Sequence, residues 1–373
     1  MAERAGGWQT FFRVSRVIGF VLMWISYIVL ALWCTGAITY APYPEWLCII
    51  GNILFILLIL SAPLIKPRLN FICAAFMLMI SIVICWQFIR PSDNRIWQPG
   101  FEKVPEIKWT DQDTFTIRNM RDCRYISDKE FHTFYREGTY KISRVTSVKF
   151  ISVYWEQKFE REVAHNMIAF SFSDGRILVF SFERRCSKYS EYGSIPSLYK
   201  QSEICCVISE PTDILALRTH FRAQPEGEQV YMYELDLTPE QRRSILRDVV
   251  MEAGELSRDA EFFNTAVNNC ATKLLDALDE TLDLSDWHYS FLLNGFLDRY
   301  LFDHGFVVKK YDSETFEEVR SRSLLNGHVK QYWKGYDPKR IADPAYRDDS
   351  YSKLLFEYVR KIFFVISRGF RDL

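Results

Sequence analysis

Three long apolar segments near the N-terminus constrain this chain more than any other feature of its sequence. They cover residues 17–40, 46–65 and 69–89, and none contains a charged side chain. Each has about twenty residues or more, the length that a helix needs to cross a hydrocarbon core of about 30 Å. A cleaved signal peptide is the alternative for the first segment, but such a peptide has a shorter apolar core and no further spans after it. The sequence predicts a three-helix transmembrane anchor over residues 1–89.

Basic residues near the ends of these segments predict the orientation of the anchor. Positive charges concentrate on the cytoplasmic side of membrane proteins. The loop 41–45 has no basic residue, whereas the N-terminal segment and the second loop contain Arg4, Arg13, Arg16, Lys66 and Arg68. Three crossings then place the N-terminus in the cytoplasm and everything after Ile89 outside, which in a Gram-negative bacterium is the periplasm.

The remainder of the chain is large enough for one domain with a full core, which we expect over residues 90–330. Strand-like patterns come first and helical patterns follow, which indicates an α+β fold with a mainly antiparallel sheet. One helix is expected from Thr238-Pro239, where Gln241 completes a capping-box pattern, and a second from Cys270. The expected strands cover residues 114–119, 146–154, 166–172, 177–183, 204–209, 214–219 and 230–237.

The tail, residues 331–373, contains an amphipathic pattern over residues 353–371. Such a helix lies in the membrane interface or packs on the domain, and amphipathicity alone does not separate the two. The formal net charge is −1, so there is no electrostatic case for a nucleic-acid partner.

The cysteines divide unevenly between the two parts of the chain. Four lie in the apolar segments and five lie after them: Cys123, Cys186, Cys205, Cys206 and Cys270. An odd number in a compartment that permits disulfides suggests one thiol without a disulfide partner, and Cys270 is the candidate for it. Cys205-Cys206 lies in an apolar run typical of a buried strand, and the pairing of the other cysteines stays open.

Cys270 and His165 form the main candidate site. Asn268-Asn269-Cys270 opens a predicted helix, and a helix N-terminus lowers the pKa of a thiol. His165 lies on a predicted strand well upstream and is the expected base, while a buried structural thiol is the alternative interpretation. Glu183 is the expected third residue if the turn at Asp174-Gly175 is a three-residue loop. A two-residue turn would place Arg184 there instead.

Other chemistries have no support in the sequence. It contains no Cys-x-x-Cys, no His-Glu-x-x-His and no other metal-ligand spacing. A phosphate-binding glycine loop and a Gly-x-Ser-x-Gly elbow are absent as well. We therefore expect neither a metal nor a cofactor.

Several short motifs, taken in order along the chain, resemble the Lnb-type periplasmic domain of bacterial inner-membrane proteins. The resemblance covers roughly residues 90–300 and implies a circularly permuted papain-like fold, in which the histidine strand precedes the cysteine helix. The motifs are residues 92–97, 117–121 with Tyr125, Tyr154-Trp155, Ala164-His165, 170–172 with Asp174-Gly175, 181–183 with Arg185, 217–219, Asn264 with 268–272, and 292–295.

The resemblance also implies a function, because the permuted papain-like group includes fatty acyltransferases that work through a cysteine thioester. The expected reaction is transfer of an acyl chain from a membrane phospholipid, with the N-terminus of a lipoprotein as a candidate acceptor. A cysteine peptidase or amidase acting on cell-wall peptide is the second interpretation. A non-catalytic binding module tethered to the membrane is the third.

Roles for further residues follow from that expected reaction. The backbone N–H of Cys270, helped by Asn269 or Tyr154, is expected to meet the developing oxyanion. Trp155 is expected to contact the substrate. Arg121, Arg185 and Arg218 are candidates for holding a phosphate head group, with ordinary ion pairing as the alternative for each arginine.

Overall fold

The computed structural model describes residues 2–92, 95–155, 162–188, 193–223, 227–284 and 288–326. The chain forms two compact units. The first contains Met1–Pro91 together with Gly193–Gln201, and the second contains Ser92–Tyr192 and Ser202–Leu373. The expected tail helix over residues 353–371 lies outside the described residues.

Apolar helices form most of the first unit: α1 (Ala2–Thr39), α2 (Glu45–Ser61) and α3 (Arg68–Gln87). Two stretches, Arg13–Thr39 and Arg68–Gln87, are long and apolar enough to cross a membrane. Two candidate spans are therefore found and not the three predicted, because α2 is too short by this criterion. Helix α2 has 17 residues and measures about 26 Å at 1.5 Å per residue. It ends before Pro63, which has no N–H to extend the helical hydrogen bonds.

Residues 193–201 belong to the first unit although they follow α3 by more than a hundred positions. The short helix α4 (Ser194–Ser197) lies in this segment. The Tyr199 ring stacks on Tyr40 with the ring centroids 5.3 Å apart, and Gln201 Nε2 donates to the Tyr40 carbonyl at 2.7 Å. Lys200 Nζ donates to the Trp86 carbonyl at 2.9 Å. These contacts join the segment to residues at the ends of α1 and α3.

A nine-stranded sheet organises the second unit within the described residues. Its order is β1-β2-β7-β6-β5-β4-β8, with β3 paired to β2 and β9 paired to β7. All pairs are antiparallel except that of β2 with β7. The strands are β1 (Glu106–Trp109), β2 (Thr114–Tyr125), β3 (Phe131–Lys141), β4 (Val145–Tyr154), β5 (His165–Phe172), β6 (Ile177–Arg185), β7 (Glu203–Ser209), β8 (Gln229–Glu234) and β9 (Glu261–Phe262). The expected mainly antiparallel α+β fold is confirmed.

The helices of this unit follow most of the strands in the sequence. They are α5 (Ile214–Ala216), α6 (Pro239–Arg258), α7 (Cys270–Leu282), α8 (Tyr289–Leu292), α9 (Leu297–Asp303) and α10 (Phe316–Ser323). Shorter helical turns cover Ile142–Arg144, Leu217–Phe221 and Asn294–Phe296.

Helices α6 and α7 pack on one face of the sheet. Phe150 and Phe180 from the strands share a buried core with Leu246 of α6 and Leu274 of α7. The capping box predicted at Thr238 is present, since its hydroxyl accepts from Gln241 N at 3.2 Å and Gln241 Oε1 accepts from Thr238 N at 2.9 Å. All six apolar residues expected on the α6 face are buried: Ile245, Leu246, Val249, Val250, Ala253 and Leu256.

The run 214–219, expected as a strand, is helical instead. Every residue in it is buried, and a short continuous apolar run does not separate a strand from a buried helix. Asp213 decides the outcome because its carboxylate accepts from Arg121 Nη2 at 2.8 Å, Cys123 N at 2.7 Å and Tyr125 OH at 2.9 Å. These bonds hold the chain against β2, and α5 begins directly afterwards to cover the second face of the sheet.

Candidate active site

The hairpin that joins β5 to β6 sets the spacing of two of the expected site residues. Phe172 N donates to the Arg176 carbonyl at 2.9 Å, and Gly175 has a φ of 85°. The loop is therefore the three-residue type with a left-handed glycine. Because Met167 pairs with Ser181, the same register puts His165 opposite Glu183. This outcome matches the alternative in which Glu183, and not Arg184, faces the histidine.

The imidazole of His165 contacts both Ser181 and Glu183. Nε2 lies 3.1 Å from Glu183 Oε1 and 2.7 Å from Ser181 Oγ. The Ser181 hydroxyl donates to the same Glu183 oxygen at 2.7 Å, so its own oxygen is left to accept from the imidazole. With Nε2 engaged in this way, Nδ1 is the ring nitrogen that remains for the thiol.

Glu183 is held in turn by a buried arginine. Arg218 Nη2 donates to Glu183 Oε1 at 3.0 Å, and Arg218 Nη1 lies 3.3 Å from Glu228 Oε1. Arg218 is 4% exposed, so its charge is balanced by carboxylates and not by water. The helical turn 217–221, expected as a strand, supplies this arginine.

Cys270 is the first residue of α7 and is only 7% exposed. Its thiol forms a hydrogen bond with His165 and accepts from the backbone N–H of Asn166. Asn269 caps the helix, since its Oδ1 accepts from Ala271 N at 2.9 Å and from Thr272 N at 3.3 Å. The cap fixes the first turn of α7 and therefore the position of the thiol beside the imidazole.

The pKa directions in this site correspond to an ion pair. Burial raises the pKa of the Cys270 thiol, but the charge and hydrogen bond of the neighbouring His165 have the larger effect, so the pKa lies below its ordinary value. Burial likewise opposes protonation of His165, yet the Glu183 carboxylate and Cys270 raise the pKa of His165 to about 9. For Glu183, burial is outweighed by His165 and Arg218, which hold its pKa well below the usual range. These directions favour a thiolate–imidazolium pair over a neutral thiol and imidazole.

The other cysteines of the second unit have the opposite character. Burial raises the pKa of Cys123 and of Cys205 to about 12 and raises the pKa values of Cys186 and Cys206. All nine cysteines are free thiols in the described residues, and Cys205-Cys206 lies in β7 as expected. Among the cysteines of the second unit, Cys270 is thus the one whose pKa is lowered.

Asn269 and Tyr154, expected as oxyanion donors, have other partners in the structure. Asn269 Nδ2 donates to the Thr265 carbonyl at 2.9 Å, in addition to the capping bonds of its oxygen. The Tyr154 hydroxyl lies 2.7 Å from the Gly295 carbonyl and 2.9 Å from Asp298 Oδ2. Both side chains hold backbone around the site and show no contact with the thiol.

Asn294 is the site residue to which the sequence analysis assigned no role. Its Nδ2 lies 4.0 Å from Cys270 Sγ, and its Oδ1 accepts from Ala164 N at 2.9 Å. Its carbonyl accepts from Asn166 Nδ2 at 3.2 Å. Asn294 therefore contacts the thiol and the two residues that flank His165 in the sequence, Ala164 and Asn166. In the sequence it is one polar residue within the motif 292–295, with no spacing that points to Cys270.

The remaining predicted residues do not converge on the thiol. Arg121 pairs with Asp213 at 2.8 Å, Arg185 lies 3.7 Å from Glu203 Oε2, and Arg218 pairs with Glu183. All three arginines are buried, which favours ion pairing over phosphate binding. Trp155 is 43% exposed. No group of three or more His, Cys, Asp or Glu side chains suited to a metal occurs in the described part of the chain.

Substituting His165 by Gln should slow alkylation of Cys270. His165, whose pKa is raised to about 9, lowers the pKa of the thiol when it is protonated, so wild type should react at lower pH than an ordinary thiol. In the variant the N–H of Asn166 still lowers the pKa of the thiol, but burial and Glu183 raise it without opposition from His165. The alkylation midpoint should therefore move upward, with the rate at pH 7 falling about tenfold for each unit of that shift. Iodoacetamide labelling across pH, followed by peptide mass spectrometry, measures this, and Cys206 is the internal control. Superimposable wild-type and variant profiles would contradict the ion pair.

Comparison with known proteins identifies part of the chain. Residues 131–292 match the model of the Lnb N-terminal periplasmic domain. This segment runs from β3 to α8 and contains His165, Glu183 and Cys270. Searches of curated proteins and of solved structures find no match. The match supports the resemblance to the Lnb N-terminal periplasmic domain family over residues 131–292 of the chain.

Proposed function

We propose that this protein is a membrane-anchored thiol acyltransferase in which Cys270 carries a fatty acyl chain as a thioester. The observation that supports it best is the buried group of Cys270, His165 and Glu183, in which the pKa of the thiol is lowered. A nucleophile, a base in contact with it and a third group that orients the base are what acyl transfer through cysteine requires. In this chain the strand with His165 precedes the helix with Cys270, which is also the order in the permuted papain-like group.

The first half-reaction consumes an ester of a membrane phospholipid. The Cys270 thiolate attacks the carbonyl carbon, and the carbon–oxygen double bond becomes an oxyanion. Collapse of this intermediate breaks the ester bond, and the departing alcohol takes the proton of the His165 imidazolium. The products are an acyl-thioester on Cys270, a neutral His165 and a lysophospholipid.

The second half-reaction passes the chain to an amine, for which the N-terminus of a lipoprotein is the candidate. The amine attacks the thioester and gives its proton to His165 as the amide forms. The carbon–sulfur bond then breaks and releases the Cys270 thiolate beside imidazolium, which restores the starting pair. Ser181 and Glu183 hold Nε2 throughout, so Nδ1 faces the reacting atoms in both steps.

We assign the oxyanion donors to the Cys270 backbone N–H, at the N-terminus of α7, and to Asn294 Nδ2. A helix N-terminus directs backbone N–H groups and the positive end of the dipole towards the developing charge. Asn294 Nδ2 lies 4.0 Å from the sulfur, close enough to reach an oxygen on a carbon bonded to that sulfur. It replaces Asn269 and Tyr154 in this role.

A fatty-acyl mass increment on Cys270 is the direct test. After incubation with phospholipid vesicles, wild type should gain the mass of a fatty acyl group, and neutral hydroxylamine should remove it. Cys270→Ser should gain nothing removable by neutral hydroxylamine, because an oxygen ester resists that treatment. Cys73→Ser is the matched control, since Cys73 is an exposed thiol of α3 and its loss should leave the increment intact. Absence of the increment on a thiol that iodoacetamide still alkylates would favour the peptidase or amidase interpretation.

Asn294 variants should separate stabilisation of the oxyanion from positioning of the backbone. Asn294→Asp keeps an oxygen to accept from Ala164 N but replaces the donor with a negative charge beside the thiolate. Both Asn294→Ala and Asn294→Asp should therefore slow acyl-enzyme formation by about 10²–10³, as loss of one oxyanion donor does. Rapid-quench mass spectrometry gives the rate. Near wild-type rates in Asn294→Asp would leave Asn294 with a positioning role only.

We further propose that the N-terminus is cytoplasmic and the second unit periplasmic. The family is named for a periplasmic domain, and Arg13 and Arg16 precede the first apolar stretch. Opposite sides require an odd number of crossings, so this orientation requires α2, which at 17 residues is shorter than a usual span, to cross a locally thinner bilayer as well.

Alkaline phosphatase fused to the C-terminus should be active in a bacterial host, because this enzyme matures only outside the cytoplasm. Green fluorescent protein at the same position should not fluoresce, and the same two fusions placed before Arg13 should behave in the opposite way. A fluorescent C-terminal fusion would place the second unit in the cytoplasm and exclude periplasmic lipoproteins as acceptors.

A further inference from the structure

Large apolar side chains are exposed in the segments that surround the Cys270 thiol. Val267 is 73% exposed and Leu292 is 63% exposed. Exposed apolar residues are unremarkable when scattered singly, but a contiguous group indicates an interaction surface. We name this group the apolar rim: Trp155, Val163, Val267, Tyr289, Leu292 and Leu293.

Hydrogen bonds of the site hold the rim segments together. Ala164 N donates to Asn294 Oδ1 at 2.9 Å, and Gly295 N donates to the Glu162 carbonyl at 3.2 Å. These two bonds place Val163 beside the segment Asn294–Gly295 that follows Leu293, while Asn294 Nδ2 lies 4.0 Å from Cys270 Sγ.

The other rim residues are tied to the same place. Val267 lies in the turn closed by Asn264 N to the Asn268 carbonyl at 2.8 Å, directly before the Asn269 cap. Trp155 follows Tyr154, whose hydroxyl donates to the Gly295 carbonyl. Each segment thus carries an exposed apolar residue within a few positions of a residue hydrogen-bonded at or next to the site.

Chain connectivity links the strand ends that carry the site to the first unit. β5 begins at His165, β6 ends at Arg185 and β7 begins at Glu203, so antiparallel pairing brings these strand ends to the same end of the sheet. From there the chain between β6 and β7 continues into Gly193–Gln201, which belong to the unit of α1 and α3. The segment that follows the first unit pairs at the same end of the sheet, where Trp97 bridges to Ser187. In the sequence, the connections to the first unit therefore leave from the strand ends that carry His165 and Glu183.

We propose that the apolar rim inserts into the interfacial region of a phospholipid bilayer, so that an acyl chain reaches Cys270 without crossing water. The proposal rests on the proposed function in that it names the lipid surface as the source of the acyl chain. Apolar side chains at the surface of a membrane-tethered domain gain free energy when they leave water for the acyl boundary. Trp155 and Tyr289 have the ring chemistry that favours this interface.

Photocrosslinking of the full chain in nanodiscs tests the proposal without turnover. The probe is phosphatidylcholine with a diazirine on one acyl chain, and peptide mass spectrometry locates the crosslinks. Peptides with Val267 and with Leu292 should be labelled together with α1 and α3, which serve as the positive control. Met251 and Tyr311 are also exposed but lie outside the rim, and their peptides should stay unlabelled.

Two variants make the test specific. Val267→Glu and Leu292→Glu should lower rim labelling about tenfold, because a carboxylate disfavours insertion, while Met251→Glu should leave it unchanged. Alkylation of Cys270 by iodoacetamide confirms that each variant keeps its site. Label confined to α1 and α3, label equal at the rim and at Met251, or rim label unaffected by the glutamates would each overturn the proposal. An inactive Cys270→Ser chain that still labels at the rim would separate failure of the proposed function from failure of this inference.

Discussion

The pairing of the half-buried Glu183 carboxylate with the His165 imidazole is the interaction on which the site depends. A carboxylate with no partner would cost several kcal/mol in this environment, and burial would drive it to the neutral form. Arg218 and His165 together keep it charged. The charged carboxylate then raises the pKa of His165, and the resulting imidazolium lowers the pKa of Cys270. Glu183 contacts both His165 and Arg218 at about 3 Å, so the pKa of the thiol depends on a carboxylate that acts through the intervening imidazole.

The fold supplies these partners from separate pieces of chain. The β5–β6 hairpin delivers His165 and Glu183 as cross-strand neighbours, and the helical turn 217–221 adds Arg218 from the opposite face of the sheet. Helix α7 packs on the other face and brings Cys270 to its first turn. The site therefore lies at the ends of the interior strands β5 and β6, where the two layers meet. A shift of one residue in the hairpin would exchange Glu183 for Arg184 and invert the charge beside the imidazole.

Sequence patterns predict those parts of this arrangement that depend on local chemistry. The turn at Asp174-Gly175, the Thr238 capping box and the helix start at Cys270 are local signals, and a turn, a capping box and a helix start lie at these positions in the structure. The length of the turn was left open by the sequence. The helix at 214–219 and the role of Asn294 were not accessible in this way. The first is decided by Asp213 and its bonds to β2, and the second by contacts between residues more than twenty positions apart. Likewise Asn269 and Tyr154 are polar and near the site in sequence, but only the structure shows that their hydrogen bonds are directed elsewhere.

The balance of charges in the site gives a further argument for the proposed acyl transfer through a thioester. When the thiolate is acylated it loses its negative charge, and when the alcohol departs with the proton His165 loses its positive charge. The net charge of the buried group is therefore the same before and after the step. Glu183, Arg218 and Glu228 keep their charges, so their contacts need no rearrangement between the two states. Changing the net charge of a buried site costs free energy. Because the negative charge of the thiolate and the positive charge of the imidazolium are lost together, the desolvated thiol can alternate between its free and acylated forms without that cost.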